Sequence, residues 1–210
     1  RVIHGARISL IVVAVTLGVG GVIGVSGGLL AGFYGGWVDE VVMRIVDIKL
    51  AIPTILLALV LVLALGQSFL IIVAILAIAI WPRFARNTRG EVLQLKTMDY
   101  VALAKVSGAS TPRILLFHIF PGVINTLIIL ATLEVGIVIL LESTLSFLGA
   151  GVPPPTPAWG SMVADGRDRL AVAWWISTMP GLAIMVVVLA MNLFGDWLRD
   201  VLDPKLRQLE

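Results

Sequence analysis

Charge is what this 210-residue sequence has least of: 13% of its residues are Asp, Glu, Lys or Arg, against roughly 25% in a soluble domain. That is too little to cover a water-facing surface, which excludes a soluble globular protein and, with it, a disordered or fibrous chain. Cysteine is absent altogether. Disulfide staples, Cys-ligated zinc and thiol catalysis are excluded, although the absence does not identify a compartment. Histidine occurs twice, and His4 and His118 each stand alone, so no metal site is expected. No GxxxxGK[ST] phosphate loop, HExxH or GxSxG is present, so ATP hydrolysis or covalent catalysis by this chain is not expected.

What remains is hydrophobic: 59% of residues, in long uncharged runs over 8–38 and 50–82. A helix needs about 20 apolar residues to cross roughly 30 Å of hydrocarbon. The first run predicts one crossing, Ile8 to about Gly32, too long and wrongly flanked for a signal peptide. The second is too long for one helix and is broken by Gly66-Gln67-Ser68, predicting a hairpin of Asp47–Leu65 and Phe69–Asn87. Further crossings are expected over Ile114–Leu141 and Ala171–Phe194. The fold class is therefore an all-α polytopic transmembrane bundle with five spans, a single domain over 1–210. Because the sequence opens on Arg1 inside an apparently structured segment, a preceding helix, six spans in all, is expected.

Basic residues orient such a bundle. If the polar stretch 83–113 is cytoplasmic, alternation puts eleven Lys and Arg on that side (Arg44, Lys49, Arg83, Arg86, Arg89, Lys96, Lys105, Arg113, Arg199, Lys205 and Arg207). Four lie outside (Arg1, Arg7, Arg167 and Arg169). The carboxyl end is then cytoplasmic.

Within the first span, Gly20, Gly24, Gly28, Gly32 and Gly36 recur every four residues. In lipid such a series lets helix backbones approach closely; the alternative is a helix that slides on its neighbour during a transport cycle. Stretch 83–113 is longer than a passive connector needs. Asp99 suits an N-cap, Tyr100–Ser107 a short helix stopped at Gly108, and Thr111-Pro112 the launch of the next span. The helix is either interfacial or a docking element for a cytoplasmic partner; the residues alone leave both open. Glu134 falls inside a span and Glu142 at its outer end. Ionisable groups there are costly and commonly functional, so both are candidate pathway residues, Glu134 as a contact for a cationic peptide terminus. Asn192 and Asp196 suit structural anchoring near the inner end. Pro153-Pro154-Pro155-Thr156-Pro157-Ala158-Trp159 predicts a stiff extended outer loop, with Trp159, Trp174 and Trp175 at the interface.

The stretch Tyr100-Val101-Ala102-Leu103-Ala104-Lys105-Val106-Ser107-Gly108-Ala109-Ser110, followed by Phe120-Pro121, resembles the EAA loop of ABC-importer permeases. Ala104, Gly108 and Pro121 fit, whereas Ala102 and Leu103 replace the Glu and first Ala. Ala102 offers no carboxylate to a partner, but the apolar surface and the turn remain. Gly5-Ala6-Arg7-Ile8-Ser9-Leu10, Phe33-Tyr34-Gly35-Gly36-Trp37, Ile52-Pro53, Leu145-Ser146-Phe147-Leu148-Gly149, Asp165-Gly166-Arg167, Asn192-Leu193-Phe194-Gly195-Asp196 and Leu202-Asp203-Pro204 are similar to the C-type permease of the dipeptide, oligopeptide and nickel branch.

The resemblance implies the type I ABC-importer permease fold in a prokaryotic inner membrane. It implies import of peptides or a similar small solute, nickel chelates among them. The implied partners are a homologous second permease, two cytoplasmic ATPases that bind the ATP, an external solute-binding protein and membrane lipid. No cofactor or metal of the chain's own and no nucleic acid are expected. The coupling residues would be Tyr100, Val101, Ala102, Leu103, Ala104, Lys105, Gly108, Ala109 and Ser110. An ion-coupled secondary transporter using Glu134 is the alternative, though no internal repeat is found; a membrane enzyme lacks a catalytic set.

Overall fold

The computed structural model describes residues 1–153 and 155–202, so Pro154, Asp203, Pro204, Lys205 and Arg207, used above, lie outside the described residues. No strand occurs among the described residues. The chain forms α1 (Val2–Tyr34), α2 (Gly36–Ala51), α3 (Thr54–Leu65), α4 (Phe69–Leu95), α5 (Asp99–Val106) and α6 (Thr111–Ile114). A π-helical turn, Leu115–Ile119, then leads into α7 (Phe120–Phe147), and α8 (Trp159–Arg167), α9 (Leu170–Ala173) and α10 (Trp175–Leu202) follow.

Among the described residues, four helices are long and apolar enough to cross a membrane: Val2–Tyr34, Phe69–Leu95, Thr111–Phe147 and Trp175–Leu202. The second predicted span differs from expectation. Instead of one helix over Asp47–Leu65, α2 and α3 meet at a 90° bend at Ile52-Pro53. Proline disfavours helical geometry at the residue before it, and Ile52 is accordingly extended, with φ −90° and ψ 126°. The 12 residues of α3 reach only about 18 Å at 1.5 Å per residue. The bent pair as a whole is the fifth apolar segment.

The other spans are longer than the uncharged runs suggested, because flanking polar residues continue the helices. Stretch 83–113 is consequently no loop: 83–95 finishes α4, 99–106 is α5, and 111–113 opens α6. The last crossing begins at Trp175, after the short α9, and continues past Phe194 to Leu202. The segment after the prolines also folds as α8, which periodicity did not reveal.

α4 packs against α1, α2, α3 and α7. Gly20, Gly24, Gly28 and Gly32 face Ile80, Phe84, Thr88 and Val92 in turn, so α1 and α4 run parallel in a constant register. A Cβ on Gly28 would stand 2.5 Å from the Ala85 carbonyl oxygen, and one on Gly32 2.7 Å from the Val92 Cβ. This is the close-packing reading of the series. Gly36, its fifth member, is not part of it: it opens α2 with φ +54° and has open space around it. α7 runs antiparallel to α4, with Gly122 against Leu95, Thr126 bonded to Glu91 and Glu134 to Arg83. α10 in turn runs antiparallel to α7, since Gly136 meets Asn192 and Gly195 meets Thr132. The C-termini of α1, α4 and α10 therefore lie at the end that carries α5.

The π turn has a local cause. Pro121 has no N–H to donate and its ring crowds the preceding turn. One extra residue is absorbed just before it, and the Phe120 N–H reaches back to the Leu115 carbonyl.

Candidate functional site

Three places hold the residues singled out from sequence. The first is α5. Asp99 is its first helical residue, not its N-cap; Met98 takes that place. Val101 and Ala104 are buried toward the bundle, while Ala102, Lys105 and Ser110 are exposed. Tyr100, Leu103 and Val106 recur every three residues and leave an apolar ridge in the open, with Leu103 66% and Val106 86% exposed. The Lys105 ammonium lies 5.4 Å from the centroid of the Phe33 ring, and the Lys96 Nζ donates to the Gly32 carbonyl at 2.7 Å. These contacts fasten the α5 segment to the end of α1.

Gly108 ends α5 at φ +77°. The Ala109 N–H donates to the Ala104 carbonyl and the Gly108 N–H to the Lys105 carbonyl, each at 3.0 Å, the pair of bonds that closes a Schellman turn. A side chain at Gly108 would meet open space, so the glycine is required by its backbone conformation rather than by crowding. Ser110 then becomes the N-cap residue of α6. The nine residues read from sequence as a coupling loop thus form a short helix, a left-handed turn and the next helix start.

The second place is the interior between α2, α4 and α7. Glu134 is 2% exposed and its Oε1 accepts from Arg83 Nη1 at 3.0 Å. A cationic terminus at Glu134 would therefore compete with a guanidinium already there. Beside this pair the Lys49 Nζ donates to the Ala79 carbonyl at 2.6 Å and to Thr54 Oγ1 at 3.4 Å. Arg83 and Lys49 were counted from sequence only as basic residues flanking spans. The signal that could have found them was the need of a buried carboxylate for a cation, with Arg83 placed just after the Pro82 of a long apolar run.

The third place is the opposite end of the bundle. Glu142 is fully buried and accepts from Ser146 Oγ at 2.7 Å. Nearby, the Trp159 backbone N–H donates to Ser9 Oγ at 3.2 Å and its indole N–H to the Val2 carbonyl at 2.9 Å. Trp159 is thereby a bolt between the start of α1 and α8, and not a membrane-interface side chain: it is 3% exposed, whereas Trp174 and Trp175 are about half exposed. Glu142 stands apart from Glu134, eight residues along α7. The Gln67 amide also bonds to the Gly149 carbonyl, tying the α3–α4 hairpin to the turn after α7. Asn192 and Asp196 are both exposed on α10.

Comparison with known proteins agrees with this architecture. Residues 24–208 match the family described as binding-protein-dependent transport system inner membrane component. A glutathione transport system permease protein, GsiD, of Pectobacterium atrosepticum is 42% identical over 99% of this chain and 69% of its own length. A di/tripeptide transport system permease protein, DppC, of Pseudomonas aeruginosa is 43% identical over 99% of this chain and 68% of its own. Among solved structures, the inward-facing MetNI methionine ABC transporter superposes with TM-score 0.74 at 19% identity, covering 96% of each chain. An amino acid ABC transporter follows with TM-score 0.64 at 16% identity, covering 99% of this chain and 93% of the other. At these identities the two structures speak for the fold alone. The sequence relatives and the family match together carry the assignment: this chain belongs to the family of inner-membrane components of binding-protein-dependent transport systems.

Proposed function

We propose that this chain is the transmembrane permease subunit of an ATP-driven importer of small peptides. It works beside a homologous second permease, two cytoplasmic ATPases and an external solute-binding protein. The observation that carries the peptide reading is identity of 42% and 43%, over 99% of the chain, to permeases named for glutathione and for di- and tripeptides. In this reading the α5 end and the carboxyl end of α10 face the cytoplasm, and ATP is bound only by the partner subunits.

The mechanism follows from how α5 is joined to the next helix. An ATPase that closes on ATP grips the exposed ridge of Tyr100, Leu103 and Val106. Because the Gly108 turn joins α5 directly to α6 and α7, a displacement of the ridge is carried into a crossing helix instead of being absorbed by a loop. Coupling then requires ATP and the loaded binding protein each to favour one of two bundle states.

The test is reconstitution of the permease pair and ATPases in liposomes with the binding protein outside. Peptide uptake is expected only with ATP on the ATPase side. Uptake by the permeases without ATPases, driven by an ion gradient, would overturn the proposal in favour of a secondary transporter. Within the active complex, Gly108→Val forces a β-branched residue into left-handed geometry at a cost of about 1–2 kcal/mol. Membrane insertion is expected to stay normal while uptake is lost, and normal uptake would remove α5 from the coupling path.

A further inference from the structure

The buried charges between α2, α4 and α7 do not balance. Arg83 and Glu134 neutralise one another, but Lys49, 8% exposed, forms no ion pair among the described residues. Its two hydrogen bonds go to neutral oxygens, the Ala79 carbonyl and Thr54 Oγ1, and an ammonium has three donors. One positive charge is left over inside a membrane bundle, where unpaired charge is costly and marks function by default.

Two further observations fall at the same spot. Glu134 Oε2 is buried and has no hydrogen-bond partner. The Glu134 residue lines, with Lys49, Thr54 and Arg83, a cavity of about 120 Å³. The start of α3 also lies here, because Thr54 is its first residue and no side chain caps it. The Leu57 N–H is already paired with the Pro53 carbonyl, while the amides of Thr54, Ile55 and Leu56 have no intrahelical acceptor. The N-terminus of a helix broken inside a membrane carries partial positive charge and offers free N–H donors. Transporters use such breaks to hold anionic groups.

We propose that this cavity is a carboxylate subsite for the carboxyl-terminal residue of a transported peptide. The carboxylate sits against the Lys49 ammonium and the hydroxyl of Thr54, at the positive end of α3. The amide N–H on the same α-carbon donates to the free Oε2 of Glu134, which Arg83 holds in place from the other side. A cavity of about 120 Å³ accepts that terminal group and not a whole peptide. The rest of the solute extends past Arg83, whose side chain is 46% exposed, and along the exposed bend at Ala51, Ile52 and Pro53. The inference rests on the peptide reading above and adds the part of the peptide that is recognised.

The experiment uses the complete importer in liposomes and two labelled probes, trialanine and trialanine amide. Rates are compared at equal occupancy of the binding protein, so that its own preference drops out. Wild type is expected to move the carboxylate about tenfold faster, as charged hydrogen bonds of this kind allow. Lys49→Met should bring the ratio near one, Lys49→Arg should keep most of it, and Thr54→Val should lower it about threefold. A wild-type ratio near one overturns the subsite, as does a ratio unchanged in Lys49→Met and Thr54→Val. If Lys49→Met moves neither probe, the Thr54→Val ratio decides in the same way. If the wild-type complex moves neither peptide, the peptide reading itself is gone, and this one with it.

Discussion

α4 presents two unlike faces to its neighbours. Toward α1 it meets a stripe of glycines at four-residue spacing, with the backbones pressed together and no charged pair between them. Toward α2 it offers Arg86 and Arg89, which pair with Asp47 and Asp39. Val46 and Lys49 are the buried residues of α2. The first contact is stabilised by shape, through many small dispersion terms that vanish if the helices part by an ångström. The second is held by a few long side chains that can follow a modest displacement. One helix carries both kinds of contact: close backbone packing ties α4 to α1, and long charged side chains tie it to α2.

The sharpest way to break this contrast is to put bulk into the glycine stripe. Gly28→Leu places a branched side chain where a single Cβ already meets the Ala85 carbonyl oxygen and the Thr88 Cβ. Backbone cannot give way as a side chain can, so destabilisation should reach about 3 kcal/mol or more. Expression, insertion and resistance to denaturing detergent should fall together. Gly18→Leu, at a position of α1 with open space around it, should leave all three near wild type. Equal damage from both would mean that the stripe has no special place in the packing.

Next in size is the interior pair. Arg83→Met leaves Glu134, 2% exposed, without its hydrogen-bonded cation and with only the Lys49 ammonium in the same cavity, and should cost about 3 kcal/mol, the low end for breaking a buried pair. Glu134→Gln leaves Arg83, which can turn toward water because its side chain is 46% exposed, and should cost clearly less. Unfolding in detergent monitored by tryptophan fluorescence gives the order. A larger loss from Glu134→Gln would show that the guanidinium, not the carboxylate, is the confined group.

Much of this was legible in the residues. The uncharged runs, the hairpin break at Gly66-Gln67-Ser68, the stop at Gly108 and the close-packing role of Gly20, Gly24, Gly28 and Gly32 all follow from local chemistry. Gly36 shows where that reading ends, since spacing alone cannot tell a packing glycine from one that turns the chain. The division of α2 from α3 was within reach through Pro53, but hydropathy averaged over the break and joined the two. Arg83, Lys49 and Glu134 lie up to 85 positions apart, and only the packing of α2 and α7 against α4 brings them together. α8 was hidden because the prolines before it dominate the local signal and its own composition is mixed. Serines that bond to buried groups, Ser9 and Ser146, look the same in sequence as serines that face lipid.

The smallest effects sharpen the charged face itself. Asp39 and Arg89 are mostly shielded, with side-chain exposures of 17% and 33%, and two bonds join them, including Nη2 to Oδ2 at 2.6 Å. Asp47 and Arg86 share one contact, also at 2.6 Å, at exposures of 60% and 55%. Asp39→Asn weakens a paired, partly dry interaction and should cost about 1.5 kcal/mol. Asp47→Asn removes a solvated pair and should cost no more than about 0.5 kcal/mol. Raising the salt should erase the second difference before the first, because screening acts on exposed charges and spares those shielded from solvent. If both losses disappear at the same ionic strength, the shielding of Asp39 does not distinguish it from Asp47. If the Asp39 loss persists at high salt, the shielded pair at the first turn of α2 is the firmer of the two ion pairs that join α2 to α4.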